Sequence, residues 1–101
     1  MAAVIEFTMT VKPGHYDAPH AAYIAFADEF VQSNPDEELA LITGDAASGT
    51  IRGIGVFDTA QAGGAANSRA SFAAFMDQVE PMIAGPPERI ELDLAHVYVR
   101  H

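Results

Sequence analysis

The stretch LALITGDAASGTIRGIGVF, Leu39 to Phe57, contains two runs rich in apolar and β-branched residues around a short polar segment. The two runs, Leu39 to Thr43 and Thr50 to Phe57, are typical of β-strands. Between them, GDAASG consists of residues that favour turns. We therefore predict a β-hairpin at the centre of the chain, with the rest of the fold arranged around it.

A predicted helix and then a predicted strand lie on each side of this hairpin. On the N-terminal side, apolar residues recur at helical spacing from about Ala18 to Ser33, and AVIEFTMTV, Ala3 to Val11, has strand alternation. On the C-terminal side, a second helix is predicted from about Arg69 to Ala84 and a long last strand from Glu88 to Val99. Pro81 is expected to kink the last turn of that helix or to begin a separate turn.

The order β-α-β-β-α-β predicts an α+β fold of the ferredoxin-like type. With right-handed crossovers it gives a four-stranded antiparallel sheet that carries both helices on one face. Strand alternation places Ile5, Phe7, Met9 and Val11 on one face of the first strand. Helical spacing predicts that the following residues face the sheet: Tyr23, Ile24, Ala27, Phe30 and Val31 on the first helix, and Phe72, Phe75, Met76, Val79 and Met82 or Ile83 on the second.

Two segments are predicted to be irregular. The acidic run Asp36 to Glu38 is predicted to be a solvated loop after the first helix. The segment TAQAGGAANS, Thr59 to Ser68, has neither helical nor strand periodicity and contains a glycine pair. We predict a mobile loop there, and the favoured interpretation is an ordinary tolerated insertion. The alternative is a loop that covers the mouth of a pocket, since it joins the third strand to the second helix.

The composition is that of one acidic globular domain, residues 1–101. Half of the residues are hydrophobic, which is enough for a packed core. Five basic and 14 acidic residues give a net charge of −9, which disfavours nucleic acid or an anionic membrane as a partner. The chain has no cysteine, no apolar stretch of membrane-spanning length and no signal-peptide pattern, so a cytoplasmic location is expected.

Both faces of the predicted sheet carry apolar residues, which predicts a homodimer. On the third strand, Ile51 and Phe57 point one way and Ile54 and Val56 the other. If the helices cover the side of the last strand that carries Ile90, Leu92 and Leu94, then Ala95, Val97 and Val99 lie on the opposite side. An antiparallel sheet open to water should have a polar second face, so we expect a second copy of the chain to cover it. The alternative is a scatter of surface apolar residues, which is common.

The segments GIGVFD, SRASFAAFMDQVEPMI and PPERIELDLAHVYV, in this order of elements, resemble the dimeric α+β barrel superfamily. The most similar group is the small antibiotic-biosynthesis-monooxygenase-like (ABM-like) proteins, and the specific part of the resemblance is Ser68 to Val99. It implies a homodimer with a pocket between sheet and helices. Some members oxidise aromatic polyketides with oxygen and no cofactor, whereas others degrade haem or isomerise lactones. This chain differs in having no tryptophan and an insertion at Asp58 to Asn67.

His15, Asp17 and His20 lie close together before the first helix. Asp17 is predicted to be the N-cap, accepting from the N–H of His20, and Pro19 suits the first turn. The spacing lacks two histidines four residues apart on one helix face. A metal site would need His20 to be joined by His96 or another distant ligand, so no metal is predicted.

His96 is the predicted catalytic base, because it shares an apolar strand face with Leu92, Leu94 and Tyr98. A neutral imidazole there can accept a proton from an acidic phenol or enol. The alternative is a core histidine bonded to the backbone or to Tyr98. Tyr23 or His20 is predicted to orient the ligand, and no cofactor is predicted. The predicted ligand-binding residues are Phe7, Phe26, Phe72 and Tyr98.

These features predict a homodimeric protein that binds a small apolar or aromatic molecule. The resemblance implies cofactor-independent oxygenation or isomerisation of aromatic, polyketide-like compounds. The alternative is a non-catalytic ligand-binding or scaffold protein with structural histidines. Arg52 is predicted to form a salt bridge to Glu6 rather than to bind an intermediate.

Overall fold

The computed structural model of the chain describes residues 2–58 and 69–100. Its elements follow the predicted β-α-β-β-α-β order, with a short 3₁₀-helix, Glu80–Met82, after the second helix. The sheet order is β2-β3-β1-β4, and all neighbouring strands are antiparallel. The predicted ferredoxin-like α+β fold is therefore confirmed. The elements are β1 (Ala3–Thr10), α1 (Asp17–Ser33), β2 (Glu37–Asp45), β3 (Thr50–Phe57), α2 (Arg69–Val79) and β4 (Glu88–Asp93).

The predicted hairpin forms, with β2 longer than the sequence indicated. In the turn, the Ala47 N–H donates to the Asp45 side chain at 3.1 Å, and Gly49 adopts a φ of +71° that favours glycine. At its other end β2 starts at Glu37, so the prediction of a solvated loop is wrong for Glu37 and Glu38, whereas Asp36 is exposed in the turn before the strand. A bulge between Glu37 and Leu39 lets the acidic residues join the strand.

The last strand is shorter than predicted. β4 ends at Asp93, which pairs with Ala3, the first residue of β1. Beyond Asp93, the Leu94 N–H still donates to the Ala2 carbonyl at 3.1 Å. The following segment, Ala95 to Arg100, has no assigned secondary structure and is exposed. A strand requires a partner strand, which the sequence pattern alone does not supply.

The residues predicted to share one face of each central strand are buried together under the helices, whereas the side of β4 assumed to meet the helices lies on the other face. Phe7, Met9 and Val11 are buried together with Ile51 and Phe57. In the register of β1 with β4, the inward residues Ile5 and Phe7 pair with Glu91 and Arg89. Val4, on the other face of β1, pairs with Leu92. Arg89, Glu91 and Asp93 therefore share the helix-covered side, and Ile90 and Leu92 lie on the other. At this edge strand all six residues are exposed, so charges on the helix side stay hydrated.

The helices bury narrower stripes than predicted. On α1, Pro19, Ala22 and Tyr23 are buried and Phe26 packs against the core, whereas Ile24 and Val31 are exposed. On α2, Phe75 and Val79 are buried, and Met76 packs against them. Helix α1 packs on β2 and β3. Those of its side chains that point away from these two strands therefore remain exposed to solvent.

The ends of both helices are set by local residues. The N-cap of α1 is Tyr16, with no side-chain cap bond, and Asp17 is the first helical residue. The His20 N–H donates to the Tyr16 carbonyl at 3.1 Å, so the prediction that Asp17 caps it is wrong. At the other end, Asn34 Nδ2 donates to the Phe30 carbonyl at 2.8 Å. Pro81 lies in the separate 3₁₀-helix Glu80–Met82 that follows α2, which matches the expectation of a separate turn.

The sheet face away from the helices carries apolar residues at one end and polar residues, including Thr8 and Thr43, at the other, so the predicted apolar second face is found only in part. Arg52 and Glu6 form the predicted ion pair at 3.9 Å, and Arg52 Nε also donates to Thr8 Oγ1 at 3.1 Å. Homodimerisation through this face stays a prediction. The apolar residues of this face include Val4, Leu41, Ile54, Val56, Ile90 and Leu92.

The segment Thr59 to Ser68, predicted to be a mobile loop, lies outside the described residues. Within 2–58 and 69–100, no helix has the length and hydropathy needed to cross a membrane.

Candidate functional site: an aromatic cavity

A cavity of about 330 Å³ lies between the sheet and the two helices. Its walls come from every strand and both helices, so the whole fold shapes it. Phe26 and Phe75 stack with ring centroids 4.8 Å apart, and Phe7 meets Phe72 edge-on at 5.4 Å. These are favourable aromatic geometries. Seven aromatic side chains line the cavity: Phe7, Tyr23, Phe26, Phe30, Phe57, Phe72 and Phe75.

Glycines on β3 make room for the polar side chains of the cavity. Gly53 and Gly55 face the helices, two residues apart on one strand face. A Cβ atom at Gly53 would collide with the Tyr23 hydroxyl, and one at Gly55 would lie 2.5 Å from Glu37 Oε2. The glycines therefore let a phenol and a carboxyl approach the strand backbone.

Glu37 is a carboxyl group in an otherwise apolar part of the cavity wall. It pairs with Phe57 across the hairpin, while Ala40 pairs with Gly55, so the bulge between Glu37 and Leu39 sets both Glu37 and Ala40 on the helix side. Its Oε1 atom is buried and has no hydrogen-bond partner among the described residues. Burial raises the pKa of the Glu37 carboxyl from 4.5 to about 7, because the charged form is poorly hydrated there.

Tyr23 lies at the same part of the cavity. Burial raises the pKa of the Tyr23 hydroxyl well above its usual range, and the charge of Glu37 raises it further. The hydroxyl therefore stays protonated at neutral pH and is available as a hydrogen-bond donor. Its ring meets Phe7 edge-on, with centroids 5.9 Å apart. Tyr23 thus combines a packed ring with a polar tip.

Arg89 is the cationic residue of the cavity wall. It lies on β4, at the edge of the sheet opposite to β2 and Glu37. Its guanidinium forms an ion pair with Glu91 at 3.8 Å and is about half exposed. The cavity therefore has an acidic group toward one edge of the sheet and a basic group toward the other.

The structure separates the predicted site residues into two groups. Tyr23, Phe7, Phe26 and Phe72 line the cavity. The other three do not line it: His20 stacks on Tyr16 with ring centroids 5.2 Å apart, and His96 and Tyr98 are exposed on the C-terminal segment. The predicted placement of His96 in an apolar strand face is therefore wrong, since β4 ends at Asp93, and its role as the catalytic base stays a prediction.

The predicted absence of a metal site at His15, Asp17 and His20 stays a prediction. In the described parts of the chain, no three His, Asp or Glu side chains are grouped as metal ligands. His15 and Asp17 are exposed, and the stacking of His20 on Tyr16 gives that imidazole a packing role.

Glu37, Gly53, Gly55 and Arg89 are among the cavity residues that the sequence did not identify. A signal existed for the glycines, because two glycines at alternate positions of one strand indicate that another group approaches the backbone. Glu37 had no such signal, because an acidic run in a sequence is usually solvated. The Glu37 side chain points inward only because of the bulge.

No family model and no curated protein matches the sequence, but solved structures match its fold. A candidate antibiotic biosynthesis monooxygenase from Nitrosomonas europaea has a TM-score of 0.82 and 16% identity, covering 94% of this chain and 91% of that one. Another, from Chloroflexus aurantiacus, has a TM-score of 0.72 and 22% identity, covering 98% of both chains.

A third match is SnoaB from Streptomyces nogalater, a cofactor-independent oxygenase whose structure is that of a point mutant. It has a TM-score of 0.75 and 12% identity, and the alignment covers 95% of each chain. At these identities the likeness concerns the fold. The chain therefore has the fold of the antibiotic biosynthesis monooxygenase proteins, as the resemblance of its sequence implied.

Proposed function

We propose that this protein binds an aromatic small molecule in the cavity between its sheet and helices and acts on it as a cofactor-independent oxygenase. The observation that carries the binding part is the cavity itself. Its volume of about 330 Å³ is within the range of small-molecule sites, which are mostly apolar with a few placed polar groups. Tyr23, Glu37 and Arg89 would be those polar groups.

The lining supports an aromatic ligand rather than a flexible aliphatic one. Ring edges and faces from α1, α2 and β1 meet around the cavity, and aromatic pairs gain about 0.5–1.5 kcal/mol beyond the area that they bury. A flat ring system could extend this packing. The predicted ligand-binding roles of Phe7, Phe26 and Phe72 are part of this proposal.

The oxygenase part is supported by the fold that the chain shares with SnoaB. An apolar cavity also suits chemistry on a reactive aromatic anion, because exclusion of water suppresses side reactions. Isomerisation of a similar compound would use the same cavity and is the second reaction that the resemblance allows. The two reactions differ in whether oxygen enters the product.

Two substitutions of α1 alanines by phenylalanine test whether the ligand binds in the cavity. Ala27 lines the cavity, whereas Ala25 is exposed on the same helix. The wild type should be thermally stabilised by 2-naphthol, and Ala27→Phe should fill the cavity and abolish this stabilisation. Ala25→Phe is the matched control and should keep it. Equal stabilisation of both variants would exclude the cavity as the binding site.

Oxygen incorporation tests the reaction. The purified protein is incubated with a hydroxylated anthrone under ¹⁸O₂, with no flavin or metal added, and the mass of the product is measured by mass spectrometry. An oxygenase adds labelled oxygen, and Ala27→Phe should lose this activity. Binding without incorporation across a series of such compounds would reject the oxygenase and favour the non-catalytic ligand-binding protein. The absence of both would reject the proposed function.

A further inference from the structure

The Glu37 carboxyl is the feature of the cavity that aromatic packing alone does not explain. A glutamate at the start of a strand can normally turn to solvent, yet here the register and the bulge turn it to the helix side. Gly55, beneath it, has no side chain, and a Cβ atom there would lie 2.5 Å from Glu37 Oε2. The local backbone therefore holds a carboxyl group in the cavity wall.

One oxygen of this carboxyl is left without a partner. Oε1 is buried, and no described residue donates a hydrogen bond to it. The ion pairs found in the described residues use other carboxylates, Glu6 and Glu91. A buried acceptor without a donor costs free energy. A ligand that brings a donor to Oε1 would recover this free energy on binding.

The neighbouring groups favour a hydroxyl as that donor. The Tyr23 hydroxyl lies in the same wall and stays protonated, so it can donate to an oxygen that carries negative charge. A ligand hydroxyl could thus donate to Glu37 while its oxygen accepts from Tyr23. An ether oxygen or a bare ring could not satisfy Glu37.

We infer that Glu37 is the hydrogen-bond and proton acceptor for a hydroxyl group on the aromatic ligand. In the proton transfer the ligand O–H bond breaks, its electron pair stays on the ligand oxygen, and the proton bonds to Glu37 Oε1. The products are a neutral carboxylic acid and an aromatic oxyanion, so no further reactant is needed. This inference rests on the proposed binding site and narrows its ligands to hydroxylated aromatic compounds.

The protonation behaviour of Glu37 fits this role. Burial raises its pKa to about 7, and an acceptor works best when its pKa lies near the working pH. Arg89, toward the opposite edge of the sheet, adds positive charge to the same cavity and would favour an anionic product. Phe57 and Gly55, the β3 residues on this side, carry no charge.

A matched pair of probes tests the inference. 2-Naphthol and 2-methoxynaphthalene share a ring system and differ in the hydroxyl hydrogen. Their affinities are measured by calorimetry at about pH 8, where Glu37 is ionised and the naphthol is not. The wild type should bind the naphthol roughly tenfold more tightly, because a hydrogen bond to a charged group is worth about that much.

Two variants test whether the preference for 2-naphthol over 2-methoxynaphthalene depends on the Glu37 carboxyl. Glu37→Gln keeps the shape but not the charge, and it should lose most of the preference while still binding the ether. Retained ether binding shows that the cavity has formed. Glu38→Gln changes the exposed neighbouring carboxyl and should keep the full preference.

The possible results separate the two proposals. Equal affinity of the wild type for both probes would overturn the role of Glu37 and leave the binding site standing. An undiminished preference for the naphthol in Glu37→Gln would also overturn the role of Glu37 without affecting the proposed binding site. If the wild type binds neither probe, both the proposed function and this inference fail.

Discussion

At the scale of single residues, burial of the Glu37 carboxyl should make the stability of the protein depend on pH. Its pKa is about 7 in the folded state against an ordinary 4.5, so between these values the folded state binds more protons than the unfolded state. The free energy of unfolding must therefore fall as pH rises through this window. The loss should be about 2 kcal/mol, allowing for the partial exposure of the group.

Denaturant unfolding across this pH range, compared between wild type and Glu37→Gln, measures the effect. The variant should lack the decline and be the more stable protein above about pH 7. Tyr23 and Arg89 are the other ionisable groups of the cavity wall, and the raised pKa of the Tyr23 hydroxyl keeps it protonated through this range. Glu38→Gln serves as the control, and the decline in stability near pH 7 should persist in it. A hydrogen bond and the charge of Asp58 raise the pKa of this exposed carboxyl, but it does not lie in the cavity wall. Parallel pH curves for wild type and Glu37→Gln would contradict the assignment.

At the scale of elements, β3 shows what the sequence could and could not predict. Its bounds followed from the β-branched run, its turn from the residues GDAASG, and the shared face of Ile51 and Phe57 from alternation. The meaning of Gly53 and Gly55 did not, because it depends on which side chains cross from α1 and β2. The apolar side of β4 was assigned to the wrong face for a related reason. Alternation separates two faces, but which one meets the helices depends on the register with β1.

The close approach on β3 predicts the cost of a methyl group. Gly53→Ala should lower the free energy of unfolding by about 1–3 kcal/mol, because the new Cβ would overlap the Tyr23 ring and force it to move. Gly85→Ala is the control, since its Cβ would meet no atom within 4 Å, and it should be nearly neutral. Both values come from urea unfolding. Equal effects of the two substitutions would show that Tyr23 is not held against the strand.

At the scale of the whole molecule, the uncovered sheet face predicts a homodimer. Leu92 is 45% exposed in the single chain although it lies at the apolar end of this sheet face, beside Val4. A second copy would remove this surface from water. Light scattering should then give twice the mass of the 10.7 kDa chain.

Leu92→Asp should convert this dimer to a folded monomer, because a buried unpaired charge is strongly unfavourable. Ile24→Asp is the matched control, since Ile24 is 41% exposed but lies on α1, away from the sheet face. It should leave the mass unchanged. A wild-type protein with the mass of one chain at micromolar concentration would contradict the homodimer.

The central claim is that the cavity between sheet and helices is the ligand site, and NMR with labelled aromatic rings tests it most directly. The protein is prepared with ¹³C-labelled Phe and Tyr rings and ¹³C-labelled Ile and Leu methyl groups, and nuclear Overhauser effects from bound 2-naphthol are recorded. Contacts to the rings of Phe26, Phe75 and Tyr23 are expected. Contacts to the methyl groups of Leu41, Ile90 or Leu92 alone would place the ligand on the opposite sheet face and contradict the account.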